Sequence, residues 1–207
     1  MVHLFPIKIH VLILIVWCSA FSENPDTVTV MQPCLNTASP CKVSFRRIQS
    51  YRTFVLRASG VVEFDSNEKV TVTYSRPFKY LVCYSDTATV ASKKDKKEHK
   101  NYGLRDAEEY DPFQALMIVS SVRKQDLIYI GAFDSVWIYD AAIFRKKSRV
   151  SIDRTARLIK EIAFVHNSRA AYERLLFYYK KGHNTPSSVV VLKSTGGELV
   201  RDSLTLF

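Results

Sequence analysis

Apolar and polar residues alternate strictly over Lys69–Arg76 (KVTVTYSR), with Val70, Val72 and Tyr74 on one side and Thr71, Thr73 and Ser75 on the other. A period of two with threonine outside predicts an antiparallel strand buried on one face. KVSFRRI (42–48) repeats the pattern and places Val43, Phe45 and Arg47 on one face. RTFVLRASGVVEFDS (52–66) and FKYLVCYS (78–85) are rich in β-branched and aromatic residues. Gly60 marks a bend or bulge, and Ser66-Asn67-Glu68 a turn. The region 42–90 therefore predicts a meander of about four strands.

From residue 91 the pattern changes. ASKKDKKEHKNYGLRDAEEYD (91–111) has little apolar content and dense charge, and predicts an exposed loop. Asp111 followed by Pro112 predicts a helix start, with FQALMIVSSVRK as the body. Its Ile118, Val119 and Val122 fit a strand as well. DLIYIGAFDSVWIYDAAIF (126–144) predicts two strands around Gly131–Ser135. Asp153 is placed to cap a helix over RTARLIKEIAFV, with Ala156, Ile159, Ile162 and Ala163 on one face. Asn167 or Ser168 is placed to cap another over RAAYERLLFYYKK, ended by Lys180, Lys181 and Gly182. SSVVVLK and ELVRDSLTLF flank Ser194-Thr195-Gly196-Gly197, a hairpin signal. The expected fold class is α+β: an antiparallel sheet, made of the N-terminal meander and a C-terminal hairpin, packed with two or three helices.

The first 22 residues stand apart. MVHLFPIKIHVLILIVWCSAFS has a weakly basic start, a short apolar run at Val11–Trp17 and a small-residue exit, the order of a secretory signal peptide. The run is too short for the ~20 residues of a spanning helix. Residues 1–22 are thus expected to be a signal, 23–41 an irregular arm, and 42–207 one domain; the mature form is expected to be secreted.

Cysteine use suits that route. Cys34, Cys41 and Cys83 remain beyond the signal, and the six-residue loop in PCLNTASPC makes Cys34–Cys41 the preferred disulfide. Cys83 bonded to either is the rival pairing.

Composition limits the function classes. The chain has 207 residues, 47% of them hydrophobic, which excludes wholesale disorder. It lacks GxSxG, GxxxxGK[ST] and GxGxxG, so no nucleophile elbow or phosphate loop is signalled. No His pair has metal-ligand spacing and no CxxC occurs, so no metal or cofactor is expected. His166 and His183 are the two histidines around which a hydrolase site would be assembled, if distant residues converged.

Charge is the positive signal. Lys+Arg number 30 against 20 Asp+Glu, a net +10. Lys93, Lys94, Lys96, Lys97 and Lys100 crowd one window, and Arg145, Lys146, Lys147 and Arg149 another. Such clusters attract anionic partners by summed Coulomb attraction and counterion release. The expectation is a secreted, non-enzymatic, effector-like binding protein whose basic face engages an anionic polysaccharide such as a glycosaminoglycan, a membrane surface or an acidic protein. Nucleic acid enters only if the protein is delivered into another cell. The alternative is an interaction domain working through its aromatic and apolar surface, for which eleven Tyr supply material.

Overall fold

The computed structural model describes residues 41–66, 69–85, 89–93, 96–100, 107, 109–165, 172–195 and 198–207. They form one 13-stranded antiparallel sheet with a single α-helix, in place of the α+β arrangement with two or three helices. The strands are β1 (Cys41–Ser50), β2 (Val55–Ser66), β3 (Lys69–Arg76), β4 (Tyr80–Ser85), β5 (Thr89–Lys93) and β6 (Lys96–Lys100). After helix α1 (Pro112–Ser121) come β7 (Leu127–Phe133), β8 (Val136–Ile143), β9 (Lys146–Asp153), β10 (Ile159–Phe164), β11 (Tyr172–Tyr179), β12 (Pro186–Thr195) and β13 (Glu198–Leu206).

Their order across the sheet is β6-β5-β4-β3-β2-β1-β13-β12-β11-β10-β9-β8-β7. The chain therefore starts in the middle, meanders to one edge, passes through α1 to the far edge and meanders back. The β1–β13 ladder, running from Phe45↔Leu206 to Ser50↔Arg201, is the seam between the two halves.

The inner face carries the core, and strand alternation explains it. Phe45, Val62, Phe64, Val72, Tyr74, Val82, Val150, Ile162, Leu175, Val191 and Leu204 are all buried. Helix α1 lies on this face, in contact with β3, β12 and β13. Nine of its ten residues, Pro112–Ser120, are buried. A mostly apolar helix buried on nearly every side needs enclosure, and the sheet supplies it: Phe113 packs edge-on to Phe45 at 5.1 Å and Tyr74 at 6.3 Å, and against Tyr84 at 5.8 Å. At Gly60 the backbone of β3 leaves no room for a side chain. A Cβ there would stand 2.0 Å from the Thr73 carbonyl oxygen, so only glycine fits.

Two predicted helices are strands, for identifiable reasons. At Asp153 the cap is real: Oδ1 accepts from the N–H groups of Thr155 and Ala156 at 2.9 and 2.8 Å. The turn then ends at Arg157, whose φ of 57° is left-handed, and β10 begins. A bulge between Ile159 and Glu161 turns both Ile159 and Ile162 inward, so a strand acquires a three-residue apolar spacing. In β11 the inward set is Glu173, Leu175 and Phe177. A carboxylate at an inner position, with Leu176 and Tyr178 outside, hid the alternation. The charged segment expected as a loop over 91–111 contains part of β5 and all of β6, paired as a hairpin. The signal, nearly all of the arm and Cys34 lie outside the described residues. Cys83 is a free thiol.

Candidate functional site: the helix-covered inner face

The site begins with charges on an apolar face. Arg47 follows Phe45 inward on β1, and Asp202 precedes Leu204 inward on β13, which places them on neighbouring strands of the seam. Arg47 grips the Asp202 carboxylate with Nε at 3.0 Å and Nη2 at 2.6 Å. Gln49 Nε2 donates to the same carboxylate at 2.9 Å. Arg47 Nη1 donates to the Tyr74 hydroxyl at 2.8 Å and lies 3.8 Å from Asp111. Asp202 is 1% exposed, so this is a desolvated pair. Burial opposes the guanidinium charge, yet Asp111 and Asp202 outweigh it and hold the Arg47 pKa above its ordinary value.

Asp111 links this network to the helix. Its Oδ1 accepts from the Phe113 and Gln114 N–H groups at 2.9 Å, while Gln114 Oε1 accepts from the Asp111 N–H at 3.0 Å, a complete capping box. Its Oδ2 accepts from the Tyr84 hydroxyl at 2.6 Å. Burial, reinforced by the Asp111 charge, pushes the Tyr84 pKa upward. Helix α1 is therefore anchored at its N-terminus to β1 and β4 directly, and to β13 through Arg47.

A second anchor holds Ala107 and the strap Glu109–Asp111 ahead of α1. Glu173, 3% exposed, accepts from the Tyr110 N–H at 2.7 Å. Lys146 Nζ donates to the Ala107 carbonyl at 2.6 Å and sits 4.4 Å from the centre of the Tyr110 ring. Lys193 pairs with Glu109 at 2.7 Å. Tyr110 in turn packs on Phe164 at 5.0 Å. Glu173 Oε2 and the Tyr110 hydroxyl are buried and have no hydrogen-bond partner among the described residues. Burial raises the Glu173 pKa; the Tyr110 N–H, Lys146 and Lys193 oppose the rise.

These residues form a small number of polar anchors around an apolar interior. Apart from them, the inner face presents hydrocarbon and aromatic rings from β4 to β8, including Trp137, Tyr139, Ile143 and Ile152. Removal of α1 and its strap would leave a curved apolar surface. No group of three or more His, Cys, Asp or Glu able to hold a metal occurs among the described residues.

The chain shares this fold with solved proteins of very different sequence. A LolA superfamily protein from Nitrosomonas europaea matches with a TM-score of 0.54 at 10% identity, over 90% of each chain. A domain described as an outer membrane lipoprotein-sorting protein from Vibrio parahaemolyticus matches at 0.57 and 10% identity, over 83% of this chain and 84% of that one. A DUF1329 family protein from Desulfovibrio piger gives 0.55 at 12%, over 83% and 85%. The fold is LolA-like. No protein-family model matches the chain, and no curated protein matches it in sequence.

The residues singled out by sequence are distributed differently. Lys93, Lys96, Lys97 and Lys100 belong to the β5–β6 hairpin at one edge of the sheet, and Lys94 lies outside the described residues. Arg145, Lys146, Lys147 and Arg149 lie on and before β9, in the other half of the sheet. Strand alternation splits that second cluster. Lys146 turns inward to the strap, Lys147 is exposed, and Arg149 faces Asp140 at 3.6 Å. The sheet therefore does not gather RKKSR on one face, and an anionic polysaccharide finds no support in it. His183 is exposed in the β11–β12 turn, and His166 lies outside the described residues. Sequence reasoning missed Asp202 and Glu173 as site residues. Their signal was present: each is an acid at an inward position of an otherwise apolar alternation, as Arg47 is a base.

Proposed function

We propose that this protein is a non-enzymatic carrier that holds an acyl chain, of a lipid or of a lipid-modified protein, against the inner face of its sheet. The observation that supports the reading is helix α1, mostly apolar and buried on nearly every side, but fixed to the sheet through a few polar anchors at its N-terminal end. Displacing it exchanges helix hydrocarbon for ligand hydrocarbon at small net change in buried apolar area. The Vibrio neighbour's description as a lipoprotein-sorting protein is consistent with this reading. Residues 1–22 supply its second element, export from the cytoplasm.

Bromine quenches indole fluorescence at contact range, which makes Trp137 a reporter. In a Trp17→Phe background Trp137 is the remaining tryptophan, and it lies on the inner face. Titration with a brominated fatty acid should quench it saturably, and a diacylated peptide should displace the probe. Absence of quenching, or equal displacement by the same peptide without its acyl chains, overturns the assignment.

A further inference from the structure

The outer face of the same sheet carries a feature that the inner-face reading does not use. Arg46, Arg57, Arg76 and Arg201 are all exposed, and they come from four adjacent strands, β1, β2, β3 and β13. The register brings them together. Arg46 lies opposite Thr205 and Ser59, and Ser59 lies opposite Arg76. Ile48, two residues along β1, lies opposite Arg57 and Ser203. Ser50, two further, lies opposite Arg201 and Val55. With strands about 4.8 Å apart and alternate residues about 7 Å apart, the four arginines span a patch about 20 Å across.

The patch is uncompensated. The ion pairs of this face lie outside it: Lys42–Glu63, Arg149–Asp140 and Arg174–Glu161. None of the four arginines makes an ion pair among the described residues, although Arg46 stacks 5.7 Å over the Phe207 ring. Between the arginines stand hydroxyls, Ser50, Ser59, Ser203 and Thr205, and no carboxylate. Arginine forks among serine and threonine donors suit phosphate oxygens.

One end of the patch is apolar. Val55, Leu199 and Phe54 are 45%, 54% and 50% exposed beside Arg57 and Arg201. Ser50, Arg52, Leu199 and Arg201 line an open cleft of about 790 Å³ between the β1–β2 turn and β13, with Glu198 as its single carboxylate. Basic groups next to exposed hydrocarbon match the boundary between lipid headgroups and acyl chains.

We propose that the outer face of β13-β1-β2-β3 docks the protein on an anionic phospholipid surface, with Arg46, Arg57, Arg76 and Arg201 on the phosphates and Phe54, Val55 and Leu199 in the interface. The site is on the opposite face from the acyl-chain groove and stands whether or not that groove binds a ligand.

The test is flotation of the full-length chain with vesicles of phosphatidylcholine alone and with about 30% phosphatidylserine. The unmodified protein should float with the anionic vesicles and not with the neutral ones, and should be released by salt. The variant R46Q/R57Q/R76Q/R201Q should bind about 600-fold more weakly, since each basic group near such a surface contributes about fivefold. A charge-matched variant, R145Q/K147Q/K180Q/K181Q, should float like the unmodified chain, because it lowers net charge equally without touching the patch. Equal binding by the quadruple patch variant, equal loss in the charge-matched one, or no preference for anionic vesicles overturns the proposal. So does retained flotation of the patch variant together with loss of its binding to an RNA oligonucleotide. Should the patch variant fail to melt cooperatively, R57Q and R201Q singly replace it, each with an expected fivefold loss.

Discussion

Glu173 is the residue whose environment and role are most at odds. It is almost fully buried on the inner face, one oxygen receives the Tyr110 N–H, and the other receives nothing among the described residues. Burial raises its pKa from the ordinary 4.5, with Lys146, Lys193 and the Tyr110 N–H as opposing influences and Glu109 as a reinforcing one. The sign follows directly. A raised carboxyl pKa means that the folded state prefers the protonated form, so the ionised form lowers stability above the folded pKa. Protonation removes that cost as pH falls from 7 towards 4.5. Glu173→Gln keeps an acceptor for Tyr110 and removes the charge. It should stabilise the protein at pH 7 by about 1 kcal/mol, an advantage that shrinks on acidification. Thermal melts of both proteins between pH 7 and 5 check this; a constant gap across the range would show that Glu173 is not titrating there.

At the scale of elements the weak point is the edge. Among the described residues, strand β7 pairs only with β8. Its side chains are exposed on both faces: Ile128 at 72%, Ile130 at 50% and Phe133 at 73%. A flat apolar edge invites pairing with another chain, and a charge on it blocks that. Ile130→Lys should therefore lower self-association, read as a loss of species larger than one chain by light scattering at high protein concentration, with stability changed by less than about 0.5 kcal/mol. An unchanged size distribution would mean that the edge makes no such contact.

The same scale shows what was legible in the sequence. The 42–85 meander, Asp111-Pro112 as a helix start and the SSVVVLK/ELVRDSLTLF hairpin were readable because each obeys one local rule: alternation, capping or turn composition. β10 and β11 were not, because a bulge and an inward carboxylate imitate helical spacing, and only pairing with β9 and β12 decides between the two. The basic clusters were legible as composition but not as surfaces. RKKSR is a strand that divides its charges between faces, whereas the outer arginine patch is assembled from four strands and has no linear signature.

At the scale of the molecule, folding depends on a seam made last in sequence. β1 is near the start of the described chain and β13 at its end, yet they are neighbours, and the ladder between them unites the two meanders within one sheet. Contacts of such sequence separation carry a high closure entropy and slow folding. Arg47 stands at the junction of all the parts: Asp202 on β13, Tyr74 on β3 and Asp111 at the helix cap. Its contribution is best seen by what its loss leaves behind. Arg47→Ala strands the Asp202 charge, 1% exposed, with Gln49 as its only remaining donor among the described residues. Breaking a buried pair in this way costs about 3–5 kcal/mol, whereas replacing both partners by apolar groups of similar volume costs far less. Arg47→Ala should thus shift the urea midpoint strongly, and Arg47→Met with Asp202→Leu should recover most of the shift. Because the seam joins both halves, Trp137 fluorescence from β8 and far-ultraviolet circular dichroism from the whole sheet should move together. Two separated transitions in Arg47→Ala would instead show that each meander holds its structure alone, and that the seam connects two folded halves without being needed for either.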